Sequence, residues 1–135
     1  MHTSSSAPYA LERDPPAGRM ARVAVAGATG YTGQELLRLL ARHPAVALTV
    51  ATSSSAASAA RRLPALGHVW NGALTPLDPA VLRQDADLVF LALPDHAAAE
   101  LAPVLVDGGR RVIDLSGAFR LRDEALRARW YPDTH

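Results

Sequence analysis

Gly27, Gly30 and Gly33 stand three residues apart, directly after the run Arg22-Val23-Ala24-Val25-Ala26 and directly before an amphipathic stretch. Glycines placed between a buried strand and a helix suit one task above others, which is to hold the pyrophosphate of a dinucleotide. A glycine at position 27 adopts the backbone of a tight turn. One at 30 lets the chain approach phosphate closely. One at 33 lets the new helix pack against the strand. The unpaired N–H groups and the positive dipole end of that helix then face the anion. The spacing is GxxGxxG rather than the commoner GxGxxG, so the strand before it and the helix after it carry the assignment. The simpler alternative is a glycine-rich turn that only closes a strand–helix unit.

Three later segments hold the other candidate side chains. Thr52-Ser53-Ser54-Ser55 contains no acid, although an Asp or Glu that holds the ribose 2′-hydroxyl of NAD is usual after a second strand. Hydroxyl donors followed by Arg61 and Arg62 suit a 2′-phosphate and favour NADP as cofactor. A solvated Ser/Ala loop with surface arginines fits the same residues. In Leu93-Pro94-Asp95-His96, Pro94 stiffens the loop and Asp95 is expected to cap a helix. His96 is either an acid/base group or a plain surface residue, and no partner is visible that would set its pKa. In Ser116-Gly117-Ala118-Phe119-Arg120, the loop can pass over a nicotinamide. Arg120 is either a partner for a carboxylate or phosphate, or an exposed charge beside a helix.

These segments sit at corresponding ends of alternating elements. Strands are expected over about 22–26, 46–51, 87–92 and 112–115, with a short one near 73–76. Helices are expected over about 31–42, 79–84, 95–107 and 122–129. In the first helix, Leu36, Leu37, Leu39 and Leu40 form the apolar side, and His43-Pro44 ends it. Gly108-Gly109 stops the third. Residues 52–62 fit either loop or short helix, and 63–72 read as loop. Strand, helix and strand in repetition mean parallel strands with crossover helices, an α/β doubly wound, Rossmann-like sheet. Ligands of such sheets bind beyond the C-terminal strand ends, where strand order reverses. Residues 27–33, 52–55, 93–96 and 116–120 all fall there.

The chain has 135 residues and a formal charge of +1, enough for one domain. Residues 1–21, with Ser4-Ser5-Ser6 and Pro15-Pro16, are expected to form a disordered tail ahead of a dinucleotide-binding domain over 22–135, and Met20 is a plausible translation start. The near-neutral charge gives no pull towards nucleic acid, and no apolar run approaches the roughly 20 residues of a membrane span. A cytoplasmic location is the default. Cysteine is absent, which removes disulfides, thiolate metal sites and a thiol nucleophile from these residues. No metal site is expected.

Four stretches, VAVAGATGYTGQELLRLLARHP (23–44), VFLALP (89–94), VIDLSGAFRL (112–121) and WYPDTH (130–135), resemble the N-terminal part of the N-acetyl-γ-glutamyl-phosphate reductases, members of the semialdehyde dehydrogenase family. The combination favours that branch over the aspartate-semialdehyde dehydrogenases, which remain an alternative, as does a stand-alone nucleotide-binding module without catalysis. The resemblance implies NADPH-dependent reduction of an acyl phosphate to a semialdehyde through a cysteine thioester, in arginine biosynthesis, by full-length homo-oligomers. It also implies that the cysteine and the substrate domain lie beyond the stretch matched here, so the chain is expected to be a truncated product, inactive by itself, with no catalytic residue. Carried over, Gly27, Thr29, Gly30, Tyr31, Thr32 and Gly33 would hold the pyrophosphate. Thr52, Ser53 and Ser54 would approach the adenosine, and Leu93, Pro94 and Ser116 would lie near the cofactor. Three segments depart from the family's usual pattern: Ser54 replaces an arginine, which Arg61 or Arg62 would have to stand in for, Asp95-His96 replaces His-Gly, and Ala118 replaces an aspartate.

Overall fold

The computed structural model describes residues 18–57 and 59–134. Most of the expected tail, residues 1–17, lies outside them. Four parallel strands form the sheet in the order β2-β1-β5-β6: β1 Ala21–Ala26, β2 Val46–Thr52, β5 Leu88–Leu91 and β6 Arg111–Asp114. The chain winds outward from β1 to β2, returns past β1 to β5, and continues to β6. Strand order therefore reverses between β1 and β5, and the crevice of a doubly wound sheet opens at their C-terminal ends.

Side-chain alternation explains how both faces are covered. Val25 and Ala51 point to one face, where helix α1 (Tyr31–Leu40) lays Leu37 against them. Ala24, Ala26, Val50, Val89 and Leu91 point to the other, where α2 (Pro79–Asp85) and α3 (Asp95–Asp107) bring Leu82, Leu101 and Leu105. A strand covered on both sides must be apolar throughout, and Val23, Ala24, Val25 and Ala26 are all buried. Leu37, Leu82, Leu91 and Leu105 are fully buried, each contributing roughly 1.5–3 kcal/mol of transfer free energy. β6 is an edge strand, and Ile113 with its neighbour Leu115 stays exposed.

The structure corrects several local expectations. Helix α1 ends at Leu40, where the Arg42 and His43 amides turn back to Leu39 and Leu40 in tighter i→i−3 bonds. Leu39 is exposed, because two residues along a helix from buried Leu37 is the opposite side. Asp95 does not cap α3. Pro94 occupies that position, and the Asp95 carboxylate reaches the Gly117 amide instead. The ambiguous stretch 52–62 ends in a short strand, β3 (Arg61–Arg62), antiparallel to β4 (Ala73–Leu74). Thr75, just past β4, bridges to Thr52 at the end of β2. A 3-10 turn over Pro64–Leu66 interrupts the loop between them. The last helix, α4, spans Glu124–Trp130 and begins at the side chain of Asp123, which accepts from the Leu126 amide.

An ion pair ties the start of β1 to β5. Arg22 donates from Nη2 to Asp87 Oδ1 (2.8 Å) and from Nε to Oδ2 (3.3 Å). The hydrogen bond from Arg22 holds the Asp87 carboxyl below its ordinary range. A carboxylate with a depressed folded pKa contributes stability above its unfolded pKa, and that contribution fades as pH falls through the folded value. Both side chains are more than a third exposed (37% and 43%), so solvent screens the pair and the effect is small. Melting curves taken from about pH 6 down to about pH 2.5 should show a modest acid loss that Asp87→Asn flattens. An acid limb of equal slope in both proteins would place the titration elsewhere.

Candidate dinucleotide site

The glycines occupy three distinct environments at the β1–α1 junction. Gly27 has φ +86°, and a Cβ there would overlap the Ala92 carbonyl oxygen and approach Leu93 Cδ2 to 2.9 Å. A Cβ on Gly33 would overlap the backbone of Gly27 and Ala28, so its absence lets α1 sit directly on the turn. A Cβ on Gly30 would meet nothing within 4 Å. Two glycines thus serve close packing within the protein, and the third faces open space.

The amides sort in the same way. Gly27 and Ala28 both donate to the Thr52 carbonyl, at 3.1 and 2.7 Å, which locks the turn against the end of β2. The first bond of the helix runs from the Gln34 amide to the Gly30 carbonyl (3.0 Å), so the amides of Tyr31, Thr32 and Gly33 lie ahead of it. No side chain on Gly30 caps them, and the first turn of α1 holds no acid. Gln34 Nε2 braces the loop through the Thr29 carbonyl (2.9 Å). Tyr31 is almost wholly exposed. This donor set, uncapped, without a carboxylate and with space before it, fits a pyrophosphate.

Beyond β2 the hydroxyls face two ways. Thr52 Oγ1 donates to the Ser53 carbonyl (2.8 Å) and Ser53 Oγ to the Ser55 carbonyl (2.8 Å), and both residues are buried. Ser54 is exposed, with its Oγ 3.4 Å from Thr29 Oγ1. Those two hydroxyls bring the β2 loop and the glycine turn together. Arg61 pairs with Leu74, one residue from the Thr75–Thr52 bridge, so the β3–β4 ribbon adjoins the end of β2. Arg62, opposite Ala73, lies one step further away.

Leu93 is buried against the turn, and Pro94 is exposed at the head of α3. His96 is exposed on the first turn of α3. Ser116 is buried, with its hydroxyl donating to Asp114 Oδ2 (2.8 Å) and accepting from the Ala118 amide (3.1 Å). Arg120 Nε donates to the Ser116 carbonyl (3.1 Å). Ala118 is buried in the same apolar cluster as Leu93. The bond from the Gly117 amide to Asp95 Oδ1 (2.7 Å) has no signal in the sequence, because it joins residues 22 apart through two loops. Among the described residues no cluster of His, Cys, Asp and Glu could hold a metal ion, and no helix is long and apolar enough to cross a membrane.

A doubly wound sheet with this strand–glycine–helix turn has the architecture of a dinucleotide-binding domain, the kind that the semialdehyde dehydrogenase family carries. The chain belongs to that family, whose "Semialdehyde dehydrogenase, NAD binding domain" matches residues 22–128. Within it, the chain is similar to the N-terminal portion of N-acetyl-γ-glutamyl-phosphate reductases. That of Geobacter metallireducens is 46% identical over 114 residues, covering 83% of this chain and 33% of the relative. That of Acidothermus cellulolyticus is 49% identical over 117 residues, covering 85% and 34%. The chain thus spans about a third of the length of these relatives, which are named as reductases. Among solved structures, aspartate semialdehyde dehydrogenase with NADP from Candida albicans shares the fold, with a TM-score of 0.60 at 21% identity over 78% of this chain and 32% of that one.

Proposed function

We propose that this chain is the NADP-binding part of an N-acetyl-γ-glutamyl-phosphate reductase, an enzyme of arginine biosynthesis in the cytoplasm that reduces an acyl phosphate to a semialdehyde. One observation carries the reading: the helix amides of residues 31–33 stand uncapped at a turn whose middle glycine faces open space. Gly27, Thr29, Gly30, Tyr31, Thr32 and Gly33 would hold the pyrophosphate. Thr52 and Ser53 would shape the adenosine end through their backbone, and Ser54 through its hydroxyl. Leu93, Pro94 and Ser116 would border the nicotinamide, which supplies hydride when bound. No cysteine stands among these residues, so they carry cofactor contacts and not thioester chemistry.

Specificity follows from what is absent after β2. With no carboxylate there to hold a ribose 2′-hydroxyl or to repel a phosphate, Ser54 and Arg61 are left to meet a 2′-phosphate. Calorimetry should find tighter binding of NADPH than of NADH. Arg61→Ala should weaken NADPH about tenfold and leave NADH unchanged. Equal affinities in the unsubstituted chain, or equal losses in the variant, would contradict the preference.

A further inference from the structure

The loop that follows β6 is held from three directions. The Ser116 amide and hydroxyl both donate to the carboxylate of Asp114, at 3.0 and 2.8 Å. Arg120 donates to the Ser116 carbonyl from behind. The ring of Tyr131 lies so close to Gly117 that any Cβ there would overlap it. Between these contacts the Gly117 amide points across to the next strand end and donates to Asp95 Oδ1 at 2.7 Å. Asp95 is the first residue of α3, and Leu93, two residues before it, packs against Gly27. One carboxylate therefore joins the loop after β6 to the loop after β5, next to the glycine turn.

Resting on the dinucleotide reading above, we propose that Asp95 is a positioning residue: its carboxylate holds the Gly117 amide and so fixes residues 116–118 at the rim of the crevice. A charged acceptor makes a shorter and stronger bond to an amide than a neutral one does. The loop has no regular strand or helix pairing at Gly117, and this bond is what ties the Gly117 amide to the head of α3. A loop already ordered before the cofactor arrives loses less entropy on binding, and the benefit appears as affinity. Asp95 itself need not touch the dinucleotide for this.

Three proteins test the proposal: the unsubstituted chain, Asp95→Ala and Asp95→Asn. Hydrogen exchange at the Gly117 amide reads the clamp without any nucleotide, and calorimetry with NADPH reads its consequence. Asp95→Ala should speed exchange at Gly117 about tenfold or more and weaken NADPH several-fold, with the melting temperature of the sheet nearly unchanged. Asp95→Asn keeps an acceptor oxygen in place and should restore most of both. Unchanged Gly117 exchange in Asp95→Ala would overturn the clamp, and so would an Asp95→Asn protein as impaired as Asp95→Ala. Faster exchange with unaltered NADPH affinity would overturn the link to the cofactor. If no protein of the three binds NADPH while Gly117 exchange still follows the acceptor, the dinucleotide reading fails and the loop clamp stands.

Discussion

Gly30→Val is expected to abolish dinucleotide binding while the domain stays folded. The position has φ −84°, which valine adopts without strain, and a Cβ there meets no protein atom within 4 Å. The change should alter stability by no more than about 1 kcal/mol, the scale of helix N-cap preferences. The same open space is where a pyrophosphate would have to lie to reach the amides of residues 31–33, and an isopropyl group would fill it. Affinity should fall at least about a hundredfold, the equivalent of about 2.7 kcal/mol. Calorimetry paired with a thermal melt separates the two effects. Retained affinity in a folded Gly30→Val protein would put the phosphates elsewhere.

Gly33→Val should do the reverse and break the fold first. Its Cβ would overlap the Gly27 carbonyl and the Ala28 backbone, neither of which has a rotamer to yield. Helix α1 would have to lift from the sheet, opening the cluster of Val25, Ala28, Leu37, Ala51 and Leu74. Overpacking of a tight core costs about 1–3 kcal/mol, and the loss of part of that cluster takes the total to about 3 kcal/mol or more. For a domain of this size the melting temperature should drop by about 10 °C. A melting temperature within a degree or two of the parent would show that α1 does not rest on this turn.

The contrast between Gly30 and Gly33 shows what the sequence made legible. Glycine spacing fixes backbone requirements locally, so the strand–turn–helix order could be read from Val23 to Leu40 without knowing any neighbour. The buried strands were legible for a similar reason: a parallel strand covered on both faces must be a continuous apolar run, as in Val89-Phe90-Leu91. Gly108 and Gly109 ended α3 as expected, with Gly109 at φ +77°. Leu39 was misassigned because four leucines in five positions conceal which side of α1 faces inward.

Of the β3–β4 ribbon the sequence indicated β4, as the short strand near 73–76, but not β3. Arg61 and Arg62 are exposed and apolar alternation is absent, so only cross-strand pairing with Leu74 and Ala73 makes them strand. At the candidate site the sequence indicated which strand ends to inspect but not how their side chains divide the work. The inward turn of the Thr52, Ser53 and Ser116 hydroxyls, and the reach of Asp95 to Gly117, depend on loops that meet only when the sheet is assembled.

Residues 27–33 are proposed as the phosphate cradle of a dinucleotide crevice at the β1–β5 strand ends. Titration of the isotope-labelled chain with NADP, followed amide by amide in solution NMR, tests this role most directly. Saturable shifts should centre on residues 27–33 and extend to Ser53, Ser54, Leu93 and residues 116–118. The absence of saturable shifts, or shifts confined to residues away from those strand ends, would contradict it.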